Sequence, residues 1–432
     1  MFAIKNKVIF LLFIFFIYSA NSFSDQVNIL YPEPEKPALK VKLFSAQNKI
    51  LVKPSQSFAI KCLFNGKGEA VYYASTEMVV DKSPGGIFLG ENSGGILEKD
   101  LKKVIFIPKV DSYWLYVNGN SYRGGLEIII NNGKDSSTGQ ALTEPGLLVL
   151  NSVFVEDYLK GVVPAEMGLS KENQNPKEWE ALKAQIVAGR SYALFQMEKK
   201  KDSLYHLESS ILDQIYTGMK MEDSLVNQLI EKTKGEVLHS NKKVIKAYYH
   251  STCGGKTENI EEIWDKPQED YLKKVSDDLY CSWSKRYRWE EVWNKEDLEN
   301  KLPSFLKNFF QIPDKGIGKL LDIKIIKKSS SGRVKELKIE TENKTYNIFK
   351  DNIRWVLRRA SDPSSILFST FFDLEIKKDK NGEIKSIIIK GKGNGHGVGM
   401  CQTGAIGMAR KGYSYQQILT HYYTGVKIVK SY

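Results

Sequence analysis

The chain has 432 residues, which is enough for two to three domains of about 150 residues each. A hydrophobic fraction of 42% excludes wholesale disorder, and 33 glycines without a repeating period exclude a collagen-like chain. Lys and Arg number 63 against 51 Asp and Glu, which gives a net charge of +12. That charge favours an anionic partner, such as nucleic acid, a membrane surface or an acidic cell-wall polymer.

The N-terminus has the pattern of a secretory signal peptide. Two lysines precede an apolar run at 8–18, and small residues, including Ala20 and Ser22, follow the run. We predict a signal peptide over residues 1–22 and an exported protein, periplasmic or associated with the cell wall. An uncleaved membrane anchor is the alternative, although the run is shorter than the ~20 residues that a bilayer crossing needs. Export argues against nucleic acid as the partner.

Residues 23–150 are predicted to form a β-rich N-terminal region. Short apolar runs at 58–63, 104–107 and 126–130 are separated by turns rich in Gly, Pro, Asn and Ser. The remainder, 151–432, mixes helical and strand patterns. The predicted fold class is therefore α+β, with a β-rich region and a mixed α/β core that together form a substrate groove.

The core is predicted to begin with a strand over 153–163, because this run is apolar and partly β-branched. Pro164 then starts a short helix, which places Glu166 in a helical first turn. The next helix is the clearest of the chain, with Asn175 as its N-cap and Pro176 at its first position.

Further elements follow in order. We predict a helix over 224–232, a strand over 244–249, and a glycine-hinged polar loop from His250 to Gly255. A β-rich insertion at about 290–390 is expected to begin with a helix-like span after Trp289. Its later part carries strands at 321–326, 334–339 and 384–389, with a hairpin turn at Asn381-Gly382. Beyond the insertion, two closing helices are predicted at 402–411 and 415–423.

Glycine occupies every second position from Gly391 to Gly399. On an extended segment, these glycines share one bare face, while Lys392, Asn394 and His396 project from the other. We therefore expect a large ligand to lie flat against this backbone.

Several blocks resemble one family of bacterial cell-wall proteins. The segments VPAEM, EALKAQIVAGRSYA, YYHSTCGGKTE, GNGHGVGMCQTGA and ILTHYYTG occur in the order typical of the SpoIID/LytB family, and the resemblance covers roughly residues 40–430. It implies a lytic transglycosylase that cuts peptidoglycan between N-acetylmuramic acid and N-acetylglucosamine. Other members enhance cell-wall amidases, so the resemblance also admits a noncatalytic glycan-binding enhancer.

The resemblance assigns the catalytic role to Glu166. A lytic transglycosylase needs one carboxyl group that protonates the glycosidic oxygen and then, as a carboxylate, deprotonates the 6-hydroxyl of the same sugar. No second, nucleophilic carboxylate is required, unlike in the usual two-carboxylate hydrolase. From its position alone, Glu166 also fits a glutamate that merely balances the helix dipole.

The matched blocks also supply candidate substrate-binding residues. For Arg190 and Tyr192, a purely structural role remains open at this point. For His250, the alternative is a histidine that only makes structural hydrogen bonds. The candidates are Gln185, Arg190, Tyr192, His250, Ser251, Gly254, Gly255, His396 and Gln402.

The cysteines leave three states open, namely a zinc site, a disulfide and free thiols. His250, Cys253 and Cys281 supply three ligands for a structural zinc, as the resemblance suggests, or Cys253 and Cys281 form a disulfide in the oxidising exterior. Cys401 lies beside the glycine block and can join the zinc site or the disulfide. No cofactor is required for the expected chemistry. The expected partners are peptidoglycan glycan strands, best as denuded strands with exposed muramic acid carboxylates, and a cell-wall amidase.

Overall fold

The computed structural model describes residues 37–66, 68–131, 145–167 and 175–432, and the expected signal peptide lies outside them. The chain divides into two compact units. Of the described residues, the first contains those from 37 to 166, 193–227 and 432, and the second contains 167, 175–192 and 228–431. Helices and strands occur together throughout, which confirms the α+β class. Within the described ranges, no helix is both long and apolar enough to cross a membrane.

A sheet of twelve strands dominates the first unit. Its order is β12-β1-β11-β10-β7-β6-β5-β2-β8-β9, with β3 paired to β7 and β4, and every pairing except β1 with β12 is antiparallel. The strands predicted at 58–63, 104–107 and 126–130 are confirmed within β3, β7 and β10. The bounds are β1 (Ala38–Gln47), β2 (Lys49–Pro54), β3 (Phe58–Phe64), β4 (Glu69–Ala74), β5 (Met78–Ser83), β6 (Gly86–Glu91), β7 (Ile96–Pro108), β8 (Trp114–Val117), β9 (Asn120–Arg123), β10 (Gly125–Asn131), β11 (Gly146–Phe154) and β12 (Leu207–Glu208).

Strand β2 shows why these segments form a sheet with a core face. Ile50 and Val52 are buried, Leu51 between them is half-buried, and Lys49 and Lys53 on either side are exposed. Successive side chains of a strand point to opposite faces, so this alternation buries one face and solvates the other.

The strand predicted over 153–163 is wrong, because helix α1 (Val155–Met167) occupies most of that segment. Its buried side chains include Val155, Tyr158, Leu159 and Val162, at the i, i+3, i+4 and i+7 spacing of a helical face. Pro164 therefore lies inside the helix rather than at its start. A proline in a helix lacks the N–H for one backbone hydrogen bond, and the continuous buried face maintains the helix despite that loss.

Helix α2 (Trp179–Lys199) follows a short 3-10 turn, Pro176–Glu178, and the predicted cap is confirmed. The Asn175 side chain accepts a hydrogen bond from the backbone N–H of Lys177 at 3.1 Å. The predicted helix at 224–232 is also confirmed as α3 (Ser224–Lys232).

The other elements belong to the second unit, in which small sheets alternate with short helices. The sheets are β14-β13-β23, the parallel pair β15-β22, β16-β21-β20 and β17-β18-β19. The strands are β13 (Glu236–Ser240), β14 (Lys243–Val244), β15 (Tyr249–His250), β16 (Trp289–Asn294), β17 (Leu320–Lys328), β18 (Val334–Thr341), β19 (Thr345–Phe349), β20 (Phe372–Lys378), β21 (Ile384–Gly391), β22 (Met400–Cys401) and β23 (Lys427–Lys430). The helices are α4 (Ile260–Ile263), α5 (Lys295–Leu306), α6 (Asn352–Val356), α7 (Gln402–Arg410) and α8 (Tyr415–Tyr422), with a 3-10 turn at Asp270–Leu272.

Most predictions for this unit are confirmed, including three insertion strands, the β20–β21 hairpin and both closing helices. Two differ. The span after Trp289 starts with strand β16 before helix α5, and Asn294 caps that helix by accepting a hydrogen bond from the Glu296 N–H at 3.0 Å. The strand predicted at 244–249 is strand only at its two ends.

Candidate functional site

Glu166 lies in the last turn of α1, in the first unit, and not in the first turn that the sequence suggests. This difference matters because the carbonyl end of a helix carries a partial negative charge, whereas its first turn carries a partial positive charge. The side chain is half-buried. Its Oε1 accepts a hydrogen bond from the backbone N–H of Ile215 at 2.8 Å, which fixes the orientation of the carboxyl group.

One residue on which the charge of Glu166 acts is Tyr158. Tyr158 is completely buried on the same helix, and its hydroxyl donates to Oε1 of Gln214 at 3.2 Å. Burial raises the pKa of Tyr158 well above its ordinary value, and the nearby charges of Asp213 and Glu166 raise it further. This phenol therefore stays protonated and neutral.

Asp213 is the acidic residue nearest in sequence to Ile215, and it has a structural role. Its Oδ1 accepts from the Gln196 side chain at 2.8 Å, and its Oδ2 accepts from the backbone N–H of Glu208 at 3.0 Å. Both oxygens are thus occupied in bracing the loop after β12. Asp213 is poorly suited to act as the nucleophile of a two-carboxylate mechanism.

Helix α2 presents its three candidate residues to the interior of the second unit. Arg190 is completely buried, and its Nη1 donates to the Glu236 carbonyl at 3.1 Å, which fits a bracing role. The buried Tyr192 packs edge-on against Tyr248, with ring centroids 5.8 Å apart. Of the alternatives that the sequence left open for these two residues, the geometry favours the structural one.

Gln185 differs from them because its amide keeps unused hydrogen-bonding capacity. Gln402, the first residue of α7, donates to Oε1 of Gln185 at 3.4 Å, while Nε2 of Gln185 has no hydrogen-bond partner among the described residues. A buried amide donor without a partner is uncommon in proteins. Gln185 Nε2 can therefore donate to a water or to a ligand.

The structure brings the His250–Gly255 loop and the glycine-rich segment side by side. Strands β15 and β22 pair in parallel, with Tyr249 opposite Met400 and His250 opposite Cys401. An antiparallel bridge then joins Thr252 to Asn394 through two backbone hydrogen bonds of 2.9 and 2.7 Å. His250, His396 and Gln402 consequently belong to one local structure, although about 150 residues separate the two segments in the chain.

Both histidines are neutral at ordinary pH. Burial, together with the charge of the buried Arg333 guanidinium, lowers the pKa of His250 to about 3. Burial also holds the pKa of His396 well below its usual value, with His250 adding to the effect. A group with so low a pKa makes a poor general acid at neutral pH, so these rings are better suited to binding than to proton transfer.

Hydrogen bonds fix the tautomers of the two rings. Nδ1 of His250 faces the Val398 carbonyl at 3.2 Å and must donate, which leaves Nε2 as an acceptor without a partner among the described residues. Nδ1 of His396 instead accepts the Val398 N–H at 3.0 Å, so in the neutral ring Nε2 carries the proton.

The glycines of these segments face the protein itself, so the expected bare ligand-binding face is wrong. Gly393, Gly395, Gly397 and Gly399 have φ between 70° and 106°, whereas an extended strand needs negative φ. A methyl group on Gly395 would lie 2.8 Å from Cβ of His250, and one on Gly399 would lie 2.0 Å from a backbone oxygen. The glycine repeat lets neighbouring parts of this unit approach closely.

The same holds for Gly254 in the opposite loop, where a Cβ would lie 2.9 Å from the backbone of Gly393. Gly255 has more space, since its nearest neighbour would be the Tyr287 hydroxyl at 3.6 Å. Ser251 is half-buried, and its carbonyl accepts hydrogen bonds from both N–H and Oγ1 of Thr403 at 3.0 Å. Hydroxyl and backbone groups of this loop therefore serve first to hold the two segments together.

Sequence reasoning missed an aromatic patch, which consists of Tyr248, Trp264 and His396 with Lys246 and Lys266. The Trp264 ring lies 4.9 Å from the His396 ring and 5.0 Å from the Tyr248 ring. Lys266 lies over both Trp264 and Tyr248, and Lys246 lies over Tyr248. In the sequence, this patch is indicated by a lysine two residues before Tyr248 and a lysine two residues after Trp264, on either side of the HSTCGG block.

The three cysteines of this unit lie together and are all thiols. Sγ of Cys253 and Sγ of Cys281 are 3.5 Å apart and unbonded, so the predicted disulfide is absent. The predicted zinc ligands also differ. Cys253 and Cys281 group with Cys401 and Asp277, and His250 is not in the group because its ring turns toward the Val398 carbonyl. Cys62 is buried in β3 of the first unit.

Comparisons with known proteins identify the family. Residues 143–239 match the family described as Stage II sporulation protein, and residues 280–399 match a domain of unknown function, DUF8618. An uncharacterized protein of Brachyspira hyodysenteriae is 32% identical over 357 residues, which is 82% of both chains. The chain belongs to the SpoIID/LytB family.

Two relatives from Bacillus subtilis are more distant. The amidase enhancer is 30% identical over 305 residues, which cover 62% of this chain but 40% of that relative. Stage II sporulation protein D is 27% identical over 297 residues, which cover 65% of this chain and 75% of that relative. The chain thus resembles less than half of the amidase enhancer's length.

Proposed function

We propose that the protein is a lytic transglycosylase that acts in the cell wall on the glycan strands of peptidoglycan, with Glu166 as acid and base. The observation that carries the proposal is the placement of this glutamate. It lies within the segment that matches the Stage II sporulation protein family, in the last turn of α1, with its carboxyl group fixed by the Ile215 N–H at 2.8 Å.

The hydrogen bond from Ile215 favours one protonated form of the acid. A backbone N–H can only donate, so Oε1 acts as the acceptor oxygen and the proton of the neutral acid is best placed on Oε2. Oε2 then gives its proton to the glycosidic oxygen as the bond to the anomeric carbon breaks. The resulting carboxylate takes the proton from the 6-hydroxyl, whose oxygen bonds to the same carbon to give the 1,6-anhydro product.

Charge and the aromatic patch support glycan as the substrate class. Tyr248 and Trp264 are both only half-buried, and aromatic rings of this kind are side chains against which a sugar ring packs. Lys246 and Lys266 beside them attract a carboxylate. Denuded strands expose the lactyl carboxylates of muramic acid, so on this proposal they bind better than intact peptidoglycan.

The amidase enhancer similarity supports a second candidate function, in which the protein binds glycan and stimulates a partner amidase. Both candidates use the aromatic patch. They differ at Glu166, which must change its protonation state in the enzyme and has no such task in an enhancer.

The test is to incubate wild type, Glu166→Gln and Glu156→Gln with amidase-treated peptidoglycan and to search for 1,6-anhydro-muramic ends by mass spectrometry. Glu156 is a matched control, because it lies on the same helix and accepts from the Tyr432 hydroxyl at 2.8 Å, which glutamine also does. We expect Glu166→Gln to lose at least about a hundredfold in rate and Glu156→Gln to keep its activity. If wild type forms no anhydro ends yet stimulates an amidase, the second function replaces the first.

A further inference from the structure

Four ionisable side chains converge in the core of the second unit. One ligand atom from each of Cys253, Asp277, Cys281 and Cys401 lies within 4.8 Å of the others. All four residues are completely buried. Three segments that are distant in the sequence contribute to this cluster, namely the loop after β15, the turn at 277–281 and the N-cap of α7.

The spacing of the sulfurs suits a metal ion. Zinc binds thiolates at about 2.3 Å, so two sulfurs on the edge of a tetrahedron around it are about 3.8 Å apart. Sγ of Cys253 and Sγ of Cys281 are 3.5 Å apart. Three sulfurs and a carboxylate oxygen also make up the four ligands of a closed structural site, with no open position for water.

Backbone N–H groups are directed at the sulfurs as they are around metal-bound thiolates. Sγ of Cys401 accepts from the N–H of Cys253 at 3.1 Å and from the N–H of Gly404 at 3.3 Å. Sγ of Cys253 accepts from the N–H of Gly255 at 3.4 Å. Such hydrogen bonds stabilise negative charge on sulfur and orient the ligand, which is the usual task of groups behind a metal ligand.

Hydrogen bonds also fix both oxygens of the Asp277 carboxylate. Oδ2 of Asp277 accepts from the Cys281 N–H at 2.7 Å, and Oδ1 accepts from the buried Tyr422 hydroxyl at 2.5 Å. Gly404 makes room for this contact, since a Cβ there would lie 2.1 Å from both Oδ1 and the Tyr422 hydroxyl. A carboxylate buried among three thiols without a cation is electrostatically costly.

We propose that Cys253, Asp277, Cys281 and Cys401 bind one structural zinc ion as three thiolates and one carboxylate. The guanidinium of Arg333 donates to the Cys253 carbonyl at 2.9 Å and supplies positive charge beside this anionic site. The ion fastens the loop that carries His250 to the segment that carries His396. The site does not depend on the role of Glu166, and a noncatalytic protein would keep it.

The first test is elemental analysis of the purified mature chain, prepared without chelator, with Cys401→Ser and Cys62→Ser alongside. We expect about one zinc per chain in wild type and in Cys62→Ser, and loss of most of the zinc in Cys401→Ser. Cys62 is the matched control, because it is an equally buried thiol that lies outside the cluster.

The second test uses cobalt(II) in place of zinc, and its decisive result comes from wild type, so it does not depend on the folding of a variant. Its sulfur-to-metal absorption reports thiolate ligation directly, and Asp277→Asn should retain the three thiolates while binding the metal more weakly. Wild type that contains no zinc and takes up no cobalt overturns the proposal. In that case, a mass lower by two hydrogens identifies a disulfide, and full alkylation after unfolding identifies free thiols.

Discussion

Replacing Gly397 with alanine tests whether the glycine-rich segment is shaped by the protein itself. Gly397 has φ of +87°, and a Cβ there would lie 2.5 Å from Nη2 of Arg333. That guanidinium cannot swing away cheaply, because the same Nη2 donates to the carbonyls of Cys253 and Lys256 at 2.9 and 3.0 Å. Arg333 is also completely buried.

The expected loss has two parts. A positive φ costs a residue with a Cβ about 1–2 kcal/mol, and forcing a methyl into filled space costs roughly 1–3 kcal/mol more. We therefore expect Gly397→Ala to lower the free energy of unfolding by roughly 2–5 kcal/mol. Gly412 is the matched control, with φ of +90° and nothing within 4 Å of its Cβ position. Gly412→Ala should lose the backbone part alone, about 1–2 kcal/mol.

Urea unfolding of the two variants, followed by tryptophan fluorescence, measures the difference. The reasoning is refuted if Gly397→Ala and Gly412→Ala are destabilised equally. If Gly397→Ala is as stable as wild type but no longer binds glycan, the glycine-rich segment is a ligand-binding face after all.

The other predictions concern pH and binding. The pKa of His250 falls from 6.5 unfolded to about 3 folded, so its contribution to stability is present above pH 6.5 and is lost as the pH falls toward 3. From pH 7.5 to pH 5, the free energy of unfolding of wild type should therefore drop by about 2 kcal/mol because of His250. The His250→Gln variant should lack this drop, and a drop of the same size in the variant and in wild type would contradict the reasoning. Trp264→Ala should weaken binding to denuded glycan about tenfold, measured by sedimentation with insoluble strands. Trp114→Ala, a half-buried residue of β8, should bind as wild type does, and equal losses in both variants would exclude the aromatic patch as the glycan surface.

Local patterns predicted much of the fold because they act within a few residues. The Asn175 cap and the Asn381-Gly382 hairpin depend on short-range hydrogen bonds and turn geometry, which one sequence displays. The start of α1 is hidden in the sequence, because β-branched residues obscure the helical spacing from Val155 to Val162 and Pro164 favours a helix start. Burial against the first unit's core, a tertiary effect, overrides both local signals.

The site was only partly predictable for a similar reason. Gly397 alternates with other residues as in a strand, and only the Arg333 side chain, 64 residues earlier in the chain, shows what fills the space beside it. Asp277 carries no motif, and its place beside Cys281 and Cys401 arises from the packing of three separate segments. The sequence shows which residue types can bind a metal. Only the fold determines which of these side chains lie close enough together to share one ion.

The most direct test of the central claim is to let the wild-type protein digest denuded glycan in water labelled with oxygen-18. The proposed intramolecular attack by the 6-hydroxyl predicts muramic ends that are one water lighter than hydrolysed ends and carry no label, with no such ends formed by Glu166→Gln. Labelled reducing ends would show that water attacks instead and would contradict the mechanism. The absence of new ends, with glycan binding intact, would contradict catalysis itself.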